Sequence, residues 1–395
     1  MDVLVYLPLV MPLLAGLFAR PVASRLPPRV VTWLLTGAAV ALASASIAVL
    51  GLLALTAVIR IPLVAAFGDM SLQVIHSHDP ASLLAAVIAG ILLTAAAAAA
   101  LRAGWRRARA LTAAVQHGRC LPGTGQVVVV PDRAADAYAV PGLPGRIVVT
   151  AGMLDALTPA ERVVLLEHER AHTTGHHYLF TAAAHLAAAA NPLLRPLASA
   201  VSYSVERWAD ERAAAACGDR SLAARTIAKA ALASAEARRQ GPLHAAALGI
   251  GNAVLGIVHV TSSASRISAA NRTDNANRAD GANTIGNANR ADNASATGNA
   301  NRAQNANVAG MRRAGPVPQR VAALLIPPPR LRPLLVVAVA VLVLISGVSA
   351  LEAARDLHAL LELAQSPTAS LPVPWAALLP ECSRSVTLSK DKELR

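Results

Sequence analysis

Long uncharged runs separated by clusters of arginine set the pattern of this chain. Residues 30–59, 82–101 and 334–351 are uncharged and strongly apolar, and each is about the length that a helix needs to cross some 30 Å of hydrocarbon. Residues 3–18 form a shorter run, broken by Pro8 and Pro12 and ending before Arg20. A cleaved leader is the rival reading of that first run. Asp2 stands where a basic residue is usual, however, and Arg20-Pro21 is a poor cleavage site, so the run reads as a first span. Arg102, Arg106, Arg107 and Arg109 stop the third run, and Arg330 and Arg332 precede the fourth.

The pattern between the third and fourth runs differs. Val127–Val130 and Ile147–Thr150 are β-branched stretches separated by Pro131, Pro141, Gly142 and Pro144, which predicts short strands joined by turns. Thr158-Pro159-Ala160-Glu161 then reads as an N-cap, a proline at the first helical position and a capping-box glutamate, so a helix is expected from Pro159. Residues 178–190 are nearly all apolar and are interrupted by Asn191-Pro192, which fits a re-entrant or membrane-surface hairpin and fits an alanine-rich core helix equally. Residues 207–235 predict one or two further alanine-rich helices beneath the site.

A twelve-residue repeat opening Asn-Ala-Asn-Arg-Ala follows, running from Asn275 to Gly286, Asn287 to Gly298 and Asn299 to Gly310. Such a composition has no apolar face to bury, so the repeat reads as a flexible insert rather than a stacked solenoid. Ordered chain is expected to resume at Arg320–Leu325, and residues 352–363 look like a short amphipathic helix before a proline-rich tail too short for a folded sensor domain. The resulting division is 1–101 membrane domain, 102–270 folded domain, 271–310 insert, 311–333 return segment, 334–351 span and 352–395 tail.

Composition sharpens this picture. The chain is 54% hydrophobic and only 15% charged, with mean hydropathy +0.46, as expected of a membrane protein with lipid as a partner. The net charge of +13 is carried by arginines flanking apolar runs, with no basic patch interleaved with aromatics, so direct nucleic-acid binding is not expected. Arg20, Arg25 and Arg29 follow the first run and an arginine-rich segment follows the third, whereas Arg60 in the loop between runs two and three is offset by Asp69 and Asp79. The positive-inside rule then puts the folded domain in the cytoplasm and both termini outside. Cys120 and Cys217 fall on the reducing side and Cys382 is alone in the tail, so no disulfide is expected.

The chemistry lies in His168-Glu169-Arg170-Ala171-His172. Residues four apart share a helical face, so His168 and His172 can offer two imidazole nitrogens to one Zn2+, with Glu169 beside them to take a proton from an attacking water. A third ligand must come from another element, and Glu206 is the candidate; Asp210, one turn on, can accept the N–H of a ligating histidine. His176, His177 and His185 lie nearby in sequence. His176 and Tyr203 are the further candidates for contact with substrate or the developing oxyanion.

HExxH followed by a distal ExxxD resembles the gluzincin-type membrane peptidases, which include the HtpX and CAAX prenyl protease group and the BlaR/MecR-type peptidases. The likeness extends upstream to Asp136-Ala137-Tyr138 and the strand Arg146–Thr150, covering roughly residues 127–220. In such families an edge strand before the metal helix, here the stretch Arg146–Thr150, is thought to align the substrate. Arg170-Ala171 departs from the small residues usual between the two histidines. The resemblance implies a mainly α membrane protein of about four transmembrane helices carrying a cytoplasmic α+β gluzincin-type metallopeptidase domain. It also implies one zinc per chain and a protein or peptide substrate, with a transcriptional repressor or the chain itself as the target. An HtpX-like quality-control or processing protease, and a non-catalytic membrane signalling scaffold, are the alternatives.

Overall fold

The computed structural model describes residues 6–59, 83–121, 125–142, 145–240 and 315–365. The repeat, the loop holding Asp69 and Asp79, the first five residues, residues 241–270 and the tail after Gln365 lie outside the described residues. The elements are α1 (Leu7–Arg25), α2 (Pro28–Ile59), α3 (Leu83–Cys120), β1 (Val127–Val130), β2 (Ala137–Val140), β3 (Arg146–Thr150), α4 (Ala151–Ala156), α5 (Pro159–Thr174), α6 (His177–Ala190), α7 (Arg195–Cys217), α8 (Arg220–Gln240), α9 (Pro316–Leu324) and α10 (Pro333–Gln365).

Among the described residues, α1, α2, α3 and α10 are long and apolar enough to cross a membrane. Only 11% of the apolar window of α3 and 17% of that of α10 are buried within the protein, so most of their side chains face outward, as lipid-facing residues do. The helices differ in extent from the apolar runs. The first continues through Pro12 and Pro21 to Arg25, the third runs on to Cys120, and the fourth absorbs residues 352–363 into one helix. Backbone hydrogen bonding within a helix continues past the point where hydropathy falls.

Alanine dominates where the apolar helices meet. Ala15, Ala19 and Ala23 of α1, Ala38, Ala39 and Ala43 of α2, Ala184, Ala187 and Ala188 of α6, and Ala198 and Ala200 of α7 form one buried cluster, joined by Leu35, Leu42, Leu194 and Leu197. Between helices in lipid the driving force is close packing rather than water exclusion, and small side chains let backbones approach. Thus α6 and α7 pack as a hairpin among the long helices. At its tip Asn191 donates through Nδ2 to Ser46 Oγ at 3.1 Å, and Ser46 Oγ lies 2.8 Å from the carbonyls of both Pro8 and Leu42. The Leu193 carbonyl is 3.3 Å from where a Cβ on Gly16 would stand, so a larger residue there would push α1 off the tip. Ser46 is eighteen residues beyond Pro28, about 27 Å along α2. The segment 178–190 is a helix that packs, together with α7, alongside the first two apolar helices.

The three strands form one sheet in the order β1-β3-β2, with β1 parallel and β2 antiparallel to β3. The stretch expected as an edge strand, Arg146–Thr150, is the central one, because β1 and β2 pair on either side of it and bury Ile147, Val148 and Val149; β2 is an edge. Arg146 ties the sheet to the end of α3 by donating to the carbonyls of Gly118 and Leu121 at 2.8 and 2.9 Å. Behind the sheet, Met153, Leu157 and Leu165 close a second core against α8 residues Ala230, Ala233 and Ala237.

Candidate metal centre

Helix α5 begins where its sequence demands. Thr158 Oγ1 accepts from the Glu161 N–H and Glu161 Oε2 accepts from the Thr158 N–H at 2.8 Å, a reciprocal cap behind Pro159. Glu161 also pairs with Lys229 at 2.8 Å, and that hydrogen bond, with the one from the Thr158 backbone, holds its carboxyl down to about 2. From this start the helix turns Val164, Leu165, His168, Glu169, Ala171 and His172 inward. An ordinary amphipathic helix buries only apolar positions, so two histidines and a glutamate on its inner face mark a site.

His168 Nε2 and His172 Nε2 face each other at 3.2 Å. Helix α7 brings Glu206 to them, its carboxylate oxygens 3.8 Å from His168 Nε2 and 3.6 Å from His172 Nε2. One ligand atom from each of the three residues fits within 4.8 Å of the others. His168 Nδ1 lies 3.0 Å from Asp210 Oδ1 and His172 Nδ1 lies 3.0 Å from His177 Nδ1. If the N–H of each imidazole is directed to those partners, both Nε2 atoms carry lone pairs. Two lone pairs opposed at 3.2 Å repel unless a cation stands between them. Nitrogens 2.0–2.1 Å from a tetrahedral zinc are about 3.3 Å apart, so the donors present fit that ion.

Glu169 is 4% exposed, and its Oε2 has no hydrogen-bond partner among the described residues. Burial pushes its carboxyl up to about 7; His168 opposes the rise, and the neighbouring carboxylates of Glu206 and Asp136 add to it. Burial would raise Asp210 as well. There the charge of Arg320 and the hydrogen bonds from Arg320 and His168 prevail and hold it at about 2. For His168, burial favours the neutral ring, but the hydrogen bond to Asp210 and its charge outweigh burial and raise the pKa.

Arg320, on α9, is the residue that no sequence spacing singles out. It donates from Nε to Asp210 Oδ2 at 2.7 Å and from Nη2 to Asp210 Oδ1 at 2.6 Å, and its Nη1 lies 2.8 Å from Glu206 Oε2. One guanidinium fork thus fixes the third candidate ligand and the acceptor behind the first. The other polar group found only in three dimensions is His177. Burial lowers it to about 3, helped by the charges of His168, Arg212 and His176, so the ring is neutral.

The remaining candidates separate. His176 takes the left-handed conformation, φ 50°, at the corner between α5 and α6, and lines a cleft beside the centre with Ala139, Pro141, Gly145, Tyr178 and Thr181. Tyr203 is not among the residues lining that cleft; it packs on the apolar cluster with the Arg207 guanidinium 5.8 Å from its ring centroid. His185 lies two turns up α6, with Nε2 3.1 Å from Ser202 Oγ.

No curated protein and no solved structure matches the chain. The model of peptidase family M48 does, over residues 100–190, a stretch that runs from the second half of α3 through the sheet and α5 to the end of α6; this likeness to a family of metallopeptidases supports a metallopeptidase function.

Proposed function

We propose that this chain is an integral-membrane zinc endopeptidase that hydrolyses peptide bonds at the cytoplasmic face of the membrane, in regulatory proteolysis of a repressor or of itself. The observation that carries the reading is the convergence of His168, His172 and Glu206 around a point beside the buried Glu169. Zinc at that point would supply Lewis acidity to the carbonyl and the attacking water. Glu169 takes the proton of that water and delivers it to the leaving amine. Asp210, 3.0 Å from His168 Nδ1, is placed to accept its proton, which leaves the His168 Nε2 lone pair for the metal. His176, on the cleft rim, is placed to donate to substrate. The β2 strand, which packs on α5, offers its backbone to an extended peptide.

A purely structural metal site does not account for Glu169, because a buried carboxylate oxygen without a partner costs stability and gives a scaffold nothing in return. Metal analysis and peptide cleavage on the purified protein test the reading. His168→Ala, His172→Ala and Glu206→Ala are expected to lose zinc and cleavage together, while Glu169→Gln keeps zinc and loses cleavage. Full zinc and full activity in Glu206→Ala would show that the third ligand lies elsewhere. Proteins trapped by Glu169→Gln decide between a repressor and the broad range of a quality-control protease.

A further inference from the structure

His177 stands at the first position of α6, immediately past the corner that ends α5. Three features hold its ring there. The left-handed backbone of His176 folds the chain back, so that the His177 ring lies against His172, with centroids 4.9 Å apart. The Trp208 ring of α7 covers another side, its centroid 4.6 Å away. Gly175 leaves the space: a Cβ there would stand 2.5 Å from His177 Nε2. The ring is 2% exposed, and its Nε2 has no hydrogen-bond partner among the described residues.

This arrangement has one polar consequence. For His172 to present a lone pair from Nε2, its proton must sit on Nδ1 and needs an acceptor. The His177 Nδ1 atom, 3.0 Å away, can accept only if its own proton is on Nε2, the atom left without a partner. A buried imidazole that gives up one hydrogen bond in order to accept another is poorly explained by packing alone. The two histidines of the centre are therefore braced unlike each other: His168 by an anionic carboxylate, itself fixed by Arg320, and His172 by a neutral ring.

We propose that His177 is a positioning residue of the metal centre, the neutral acceptor that fixes the tautomer and orientation of His172. The proposal rests on His168, His172 and Glu206 binding zinc. The two halves of the His177 side chain, its volume and its acceptor, separate by substitution. His177→Phe keeps a ring against Trp208 and loses the acceptor. His177→Asn places an amide oxygen where Nδ1 stands and loses the ring.

The test is zinc affinity by competition with a chromophoric chelator on the full-length protein in detergent, with the melting temperature of each metal-free form measured beside it. His177→Phe is expected to bind zinc about 10–100-fold more weakly than wild type while its metal-free form melts close to wild type. His177→Asn should melt lower yet keep zinc affinity within about threefold, since the acceptor survives. Wild-type affinity in His177→Phe, or equal weakening in both variants, overturns the proposal. If His177→Phe does not fold, the asparagine variant decides alone: a loss of about tenfold or more overturns it and retention supports it. Failure of the wild type to bind zinc at all would strike the metal centre itself, an outcome distinct from a failure confined to His177.

Discussion

Replacing Arg320 by methionine tests the electrostatics of the centre most directly. Methionine has a similar volume, so the change is chiefly the removal of one charge and its hydrogen bonds. Arg320 is paired twice with Asp210 and once with Glu206, and the three side chains are 8%, 2% and 13% exposed. Without it two buried carboxylates lose their counter-charge. Removing one partner of such a group costs about 3–5 kcal/mol. For a domain of this size that lowers the melting temperature on the order of 10 °C. Zinc bound at the proposed centre would supply positive charge at the same point, so the loss should be larger in the metal-free form than in the loaded one. Thermal unfolding in detergent, with and without a chelator, reads both. Combining Arg320→Met with Asp210→Asn should cost about 1–3 kcal/mol less than the sum of the single changes, because the neutral amide no longer needs the guanidinium. Unchanged unfolding of the metal-free Arg320→Met protein, or strict additivity of the pair, would refute the reasoning. The sign with pH follows from Asp210. Its carboxyl is depressed to about 2, so its stabilisation is fully present above the ordinary aspartate range and is lost as pH falls towards 2.

Three other outcomes are expected. If the α6–α7 hairpin lies in the bilayer, a cysteine at Leu193 on its tip should resist a water-soluble maleimide in intact vesicles although Leu193 is 43% exposed in the protein, because lipid would then cover it; one at Arg239 should label freely, and equal labelling would place the hairpin outside the bilayer. Reporter fusions after Arg109 and after Arg355 should report opposite sides of the membrane, since arginines follow the third apolar run and precede the fourth, with one apolar run between the two fusion points; the same response at both positions would overturn that topology. Deleting residues 275–310 should leave zinc content and proteolysis intact, and loss of zinc would show that the repeat supports the fold.

Local patterns were legible in the residues because their physics is local. Helices stand where uncharged runs lie, since each span satisfies its own backbone, and α5 starts at Thr158 because its cap is made within four residues. The spacing of His168, Glu169 and His172 on one helical face needs only a period of 3.6 residues to be read. Glu206 and Asp210 could be named as candidates, being one turn apart on one helix, but their distance from His168 depends on how α7 crosses α5. Beyond that range the sequence carried no signal. Arg320 is 110 residues from Asp210, past the polar repeat, and a single arginine has no periodicity to announce a partner. His177 was one of three histidines near the motif, and only the left-handed corner at His176, with the space beside Gly175, selects it over its neighbours. The packing of residues 178–190 was not legible for a similar reason. An alanine-rich apolar helix suits a soluble core and a bilayer alike, and only the tertiary structure shows Ser46 and Gly16 offering Asn191 and Leu193 a polar contact and a close approach among the apolar helices.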